Sequence, residues 1–169
     1  MKIAIGIDIG GTFTKIILVA ENGEALFTQQ YPTLSAAGSG QAGIEELLVR
    51  NVRDFLTHEM TQAFISERSE TSAIAGIGIG VAGFIDRPAG KIMKSPNIPA
   101  LDGFPITEVF EREFSLPVVV ENDANAYAYG EKWLGAGKDI DNFAVLTLGT
   151  GLGGGCIYKG ELYEGPFEI

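Results

Sequence analysis

"GIDIGGTFTK", residues 6–15, carries an apolar, β-branched run into an aspartate, two glycines and a threonine within the first dozen positions. Residues 3–7 and 13–19 on either side have strand composition, and a Glu-Asn-Gly turn at 21–23 leads into a further strand-like stretch over 24–31. The chain therefore opens as an antiparallel meander with Gly10 and Gly11 at its first bend. Glycines in such a bend turn consecutive backbone N–H groups toward an anion and leave no Cβ in its way. Thr12 adds a hydroxyl donor. Asp8 would repel a bare phosphate but suits one carrying Mg²⁺, which takes oxygen ligands and keeps several waters. Taken alone, the same residues are equally compatible with a tight β-turn and nothing more.

The bend recurs. Residues 143–148 form a second strand-like run into Gly149-Thr150-Gly151, the chain continues through Cys156 to Tyr158, and a Lys159-Gly160 turn closes another hairpin. Gly11 and Gly149 are 149 − 11 = 138 residues apart, which reads as one unit over 1–122 followed by the beginning of a second over 123–169. The second unit is expected to be cut short. Between the bends, Ile44, Leu47, Leu48, Val52, Phe55, Leu56 and Met60 recur at helical spacing after a small-residue loop over 33–40. Strands are expected over 74–81 and 117–121, and helices over 106–114 and from about 124 to 134. This alternation gives an α/β fold with a mixed sheet.

Bulk properties narrow the function. With 12 Lys plus Arg against 22 Asp plus Glu the formal charge is −10, which opposes nucleic acid and anionic membrane surfaces as partners. Of the 169 residues 46% are hydrophobic and 20% charged, the balance of a folded globular protein. The single cysteine, Cys156, reads as a small core residue and cannot pair internally, and no leader-like or membrane-spanning run occurs, so the expected compartment is the cytoplasm. Two stretches fit G-x-G-x-x-G, at 78–83 and 149–154, but neither opens a helix as a dinucleotide site requires. No P-loop pattern is present. His58 has no partner at ligand spacing and reads as a packing or solvated histidine, Lys15 as an exposed residue beside the bend, and Trp133 with Tyr129 as helix-packing aromatics.

Five stretches taken in order are more specific than any one: "DIGGT" (8–12) with Lys15, "GVAG" (80–83), "SPNIP" (95–99), "ENDAN" (121–125) and "LGTGLGG" (148–154). Together they resemble the ROK family of repressors, open reading frames and kinases, within the superfamily of actin, hexokinase and chaperone ATPases, and the resemblance runs the whole length of the chain. It implies a ribonuclease-H-like, actin-like ATPase domain followed by the start of a second similar domain, with a hexose and ATP bound between the two and Mg²⁺ as cofactor. By motif, Gly10, Gly11 and Thr12 match the first phosphate loop, Gly149, Thr150 and Gly151 the second, and Asp8 the metal position, acting through water. Asn97, Asn122 and Asp123 match sugar-contacting positions, and Asp123 also matches the base. Glu168 matches the first residue of a Glu-x-Gly-His sugar clamp. A zinc segment found in many members would lie beyond residue 169. Ala82 stands where the family often has proline.

Local chemistry leaves alternatives beside these roles. Asp123 could simply cap the helix that follows it, and Asn97 could be a turn residue before Pro99. At the level of the whole protein, the leading expectation is a glucokinase-type hexose kinase whose 169-residue portion is inactive by itself, using ATP or polyphosphate. The competing ones are a sugar-responsive transcription regulator, a non-catalytic sugar- or nucleotide-binding module, and a chaperone-like ATPase without a sugar substrate. An unfinished second hairpin would expose an apolar edge, so homodimerisation or other self-association is expected.

Overall fold

The computed structural model describes residues 2–33, 40–66, 74–149 and 151–163. Three antiparallel strands, β1 (Ile3–Ile9), β2 (Phe13–Ala20) and β3 (Ala25–Pro32), form the opening meander. Two helices follow, α1 (Gly40–Thr57) and α2 (Glu59–Ser66). The periodic apolar stretch that reads as one helix is thus broken at His58, whose Nδ1 accepts a hydrogen bond from the Met60 N–H at 3.2 Å while its ring stacks on Phe27. The packing role foreseen for His58 holds.

Strand β4 (Ile74–Val81) returns beside β1, a short hairpin of β5 (Phe84–Asp86) and β6 (Lys91–Lys94) follows, and α3 (Ile106–Phe114) leads into β7 (Val118–Asn122). Helix α4 (Asp123–Trp133) then connects to a second sheet of β8 (Phe143–Leu148), β9 (Leu152–Tyr158) and β10 (Glu161–Leu162). The first sheet has the order β3-β2-β1-β4-β7, antiparallel across β3, β2 and β1 and parallel across β1, β4 and β7. It is the mixed sheet expected from the sequence.

Alternation in β1 sends Ile3, Ile5, Ile7 and Ile9 to one face, where they meet Leu47, Leu48, Val52 and Phe55 of α1 and Ile106, Val109 and Phe110 of α3 in one core. Burying each such side chain contributes about 1.5–3 kcal/mol. The opposite face carries Gly6, Asp8, Lys15, Ile17, Gly78 and Gly80 and lines a cavity of ≈ 1420 Å³, with Val119 69% exposed. Lys15 is exposed on this face, as foreseen.

Helix α4 seats on the second sheet through small residues. A Cβ at Gly155 would lie 2.7 Å from the Ala128 Cβ and 2.8 Å from the Ala124 carbonyl, so only glycine lets the helix approach β9 this closely. Ala128, Ile157 and Leu162 form the small core there. Two packing expectations fail. Cys156 is exposed, because period-two alternation in β9 points it away from α4, and Tyr129 and Trp133 are 42% and 49% exposed, with Tyr129 bordering the cavity on the open sheet face.

Candidate active site

The parallel strands end in one row. Asp8 of β1 lies opposite Gly80 of β4, and Gly80 opposite Glu121 of β7, so the carboxyl ends of all three strands lie level, with the Asp8 and Glu121 side chains on either side of Gly80. In open α/β sheets ligands bind at this edge. A cleft of ≈ 740 Å³ opens there, lined by Asp8, Gly10 and Gly11 from the first bend, by Asn97, by Asn122 and Asp123 at the start of α4, and by Gly149 and Gly151 from the second bend. The structure therefore brings most of the sequence-derived candidates to one place. Thr12 is exposed and does not line the cleft. Thr150 and Glu168 lie outside the described residues.

Each bend has its own hydrogen bonding. The Gly10 N–H donates to the Phe13 carbonyl at 3.1 Å and the Gly149 N–H to the Gly151 carbonyl at 3.0 Å, which shapes the turns and occupies those two donors. The N–H groups of Gly11, Thr12 and Gly151 have no acceptor among the described residues. These are the backbone donors left for an anion. A Cβ at Gly11 would stand 3.4 Å from the Asn97 carbonyl, so the first bend and the residue 95–99 loop are in contact. That loop is held by Ser95, which is buried. Its hydroxyl donates to the Ala82 carbonyl at 2.9 Å and its N–H to Asp102 Oδ1 at 2.7 Å.

The start of α4 resolves which residue caps it. Asn122 is the N-cap, its Oδ1 accepting from the Ala124 N–H at 2.9 Å and the Asn125 N–H at 3.2 Å, while its Nδ2 donates to the Gly83 carbonyl at 3.0 Å. Gly83 is held at φ 149°, and a Cβ there would fall 2.2 Å from the Lys94 carbonyl, so glycine is required where this tether attaches. The capping alternative considered for Asp123 therefore belongs to its neighbour. Asp123 is the first helical residue, exposed, with Oδ1 2.9 Å from the Ala124 N–H, and its carboxylate borders both the cleft and the open sheet face. A negative side chain is stabilised at this end of the helix.

Electrostatics single out Asp8. Its carboxyl is held above the usual carboxylate range, first by desolvation and second by the charge of Asp123, while Lys15 pulls it the other way. Two carboxylates that repel each other across a cleft are suited to receive a divalent cation, whose arrival removes the repulsion. The donor chemistry thus fits Mg²⁺ carried by a phosphate. No cluster of three or more His, Cys, Asp or Glu residues that could hold a metal by itself occurs among the described residues. No helix among the described residues is long and apolar enough to cross a membrane.

Four polar side chains of the cleft carry no role assigned by motif: Arg87, Glu121, Asn125 and Thr147. Glu121 and Asn125 stand four apart in the quoted "ENDAN" stretch, a spacing that puts them in reach of each other across a helix start, and Oε1 of Glu121 does accept from Asn125 Nδ2 at 3.1 Å. No sequence signal pointed to Arg87 or Thr147, which arrive by way of the β5–β6 hairpin and the end of strand β8.

With this geometry in view, comparison with known proteins is decisive. The model of the ROK family matches residues 4–168. The chain belongs to the ROK family. It is 39% identical over 165 residues to a β-glucoside kinase of Listeria monocytogenes, covering 98% of this chain and 49% of the relative. It is 36% identical over 161 residues to a glucokinase of Halalkalibacterium halodurans, covering 95% of this chain and 46% of that protein. Among solved structures, the ROK glucokinase of Streptomyces griseus in complex with glucose and AMPPNP superposes with a TM-score of 0.77 at 36% identity, covering 99% of this chain and 48% of that one. Regulators match as well, including a xylose repressor of Caldicellulosiruptor bescii at 33% identity over 161 residues, 95% of this chain and 38% of that protein. The chain spans about half the length of the curated relatives it matches. Its fold is that of the actin-like ATPases to which ROK sugar kinases belong, and sugar phosphorylation is the activity the kinase relatives support at family level.

Proposed function

We propose that the full-length protein phosphorylates a hexose with ATP, in the manner of a glucokinase, and that these 169 residues supply one wall of its active site and the start of the other. One observation carries the reading: Asp8, Asp123 and the two glycine bends, 138 residues apart by 149 − 11, border a single cleft at the carboxyl ends of the parallel strands. The kinase relatives supply the reaction class, and the glucose and AMPPNP bound to the Streptomyces griseus enzyme make a hexose and a nucleoside triphosphate the natural substrates.

In this reading the Gly11 and Gly151 N–H groups, unpaired among the described residues, receive phosphate oxygens from the two sides, Thr12 beside the cleft-lining Gly11 adds its N–H and hydroxyl, and the Thr150 hydroxyl is a further donor. Mg²⁺ would neutralise the developing charge on the transferred phosphoryl group, held at Asp8 through water. Asp123, set at the helix N-terminus, accepts the proton of the attacking sugar hydroxyl. Asn97, Glu168 and the one amide hydrogen of Asn122 not engaged by Gly83 orient the remaining hydroxyls. Residues 1–122 act as one domain and 123–169 as the start of the other. Because α4 is seated on β9, the two walls are mechanically joined at the residue that takes the proton. The reaction is cytoplasmic, where ATP is supplied, and the protein self-associates.

The test is a coupled ATP-dependent hexose kinase assay on the full-length protein, with negligible turnover expected from the 169 residues alone. Asp123→Asn is expected to lower turnover by about 10²–10⁴-fold while sugar binding persists. Undiminished turnover in that variant refutes the assignment.

A further inference from the structure

Glu121 is part-buried beside Asp123 and has no acid–base task in the scheme above, yet both of its oxygens are engaged. Oε1 accepts from the Asn122 N–H at 2.8 Å and from Asn125 Nδ2 at 3.1 Å, and Oε2 meets Arg87 Nε at 2.9 Å. The Glu121 side chain is 15% exposed and that of Arg87 31%, so the pair is partly desolvated and directional rather than a loose surface contact. Arg87 stands in the turn between β5 and β6, two residues after Ile85, which is buried in the main core. Gly83, at the other end of the same strand, receives the Asn122 tether. The β5–β6 hairpin therefore grips the junction of β7 and α4 at two points, one by the Asn122 amide and one by the Arg87–Glu121 pair. Between those points lies the first turn of α4, which carries Asp123.

We propose that Arg87 and Glu121 act together as positioning residues: the ion pair fixes the first turn of α4 and so aims the Asp123 carboxylate into the cleft. The aiming rests on the kinase reading, whereas the fixing does not. Without Arg87, the Glu121 carboxylate turns toward water and releases Asn125 and the Asn122 N–H. The α4 N-terminus then frays, and Asp123 samples orientations away from the substrate hydroxyl. A displacement of this size near the reacting atoms lowers the rate of the chemical step more than it weakens substrate binding.

Residue-resolved amide hydrogen exchange on the 169-residue chain reads the fixing directly. In Arg87→Met the Ala124 and Asn125 amides are expected to exchange roughly tenfold faster, while Leu18 in β2 and Ile79 in β4 keep their wild-type protection. Arg87→Lys restores most of the difference. Glu121→Gln reproduces the Met variant, and the double variant is no worse than either single one, as expected of a coupled pair. Should Arg87→Met fail to fold, Arg87→Lys and Glu121→Gln carry the test. Wild-type exchange at Ala124 and Asn125 in Glu121→Gln, or a uniform rise across β2 and β4 as well, overturns the proposal. In the full-length protein Arg87→Met is expected to reduce kcat about tenfold with little change in the sugar KM. Absence of phosphoryl transfer in the wild type, with the exchange pattern intact, defeats the kinase reading and leaves the positioning role standing.

Discussion

Replacing Asn122 by alanine removes three hydrogen bonds at once, and the structure permits their sum to be reckoned. The Oδ1 bonds to the Ala124 and Asn125 amides, at 2.9 and 3.2 Å, form the N-cap of α4, whose loss costs about 1 kcal/mol. The Nδ2 bond to the Gly83 carbonyl, at 3.0 Å, joins α4 to the β4–β5 turn and contributes about 0.5–1.5 kcal/mol. Asn122→Ala should therefore destabilise the chain by roughly 1.5–2.5 kcal/mol, or about 3–10 °C in Tm for a chain of this size. Asn122→Ser keeps a capping hydroxyl and loses only the tether to Gly83, so it should retain about half of the difference. Urea unfolding followed by circular dichroism measures both. An alanine variant within about 0.5 kcal/mol of wild type, or a serine variant as damaged as alanine, refutes the reasoning. The outcome bears on function, because a side chain engaged on three sides has a single amide hydrogen left for a sugar.

Asp8 sets the sign of a pH effect. Its carboxyl titrates above the ordinary range in the fold, so its contribution to stability is present at low pH and is lost as pH rises through the raised value. Asp8→Asn should consequently raise Tm at pH 7 and change it little at pH 3, and a variant less stable than wild type at pH 7 contradicts the electrostatic account. Gly155→Val places carbon atoms within 3 Å of Ala128 and the Ala124 carbonyl and should cost about 1–3 kcal/mol by urea unfolding. Unchanged stability there means that α4 is not seated on β9.

How far the sequence disclosed all this differs from element to element. Strong periodicity and explicit turn chemistry were readable: the meander around Gly10-Gly11, the helix over 106–114 and the hairpin closed by Lys159-Gly160 appear where composition put them. The β5–β6 hairpin was not read, because its strands are only three and four residues long and the Asp86 to Gly90 turn between them passes as loop sequence. The break at His58 is invisible to periodicity, since Met60 stays in phase with α1 although it belongs to α2. Cys156 and Trp133 were misjudged for one reason: they lie on faces of β9 and α4 turned away from the core, and one strand or helix does not say which face a neighbour will cover. In the cleft, the motifs indicated Asp8, Asn97 and Asp123, but only the folded structure shows that Gly10 and Gly149 use their own N–H groups within the turns and that Asn122 rather than Asp123 caps α4.

The account stands on the two bends acting on one anion. Titrating Mg²⁺ triphosphate into the isotopically labelled 169-residue chain, and following backbone amide resonances, tests this directly. The Gly11, Thr12 and Gly151 signals should move together along one binding curve, and Asp8→Asn should weaken that curve for all three alike. Movement confined to one bend, or separate curves for Gly11 and Gly151, would contradict it.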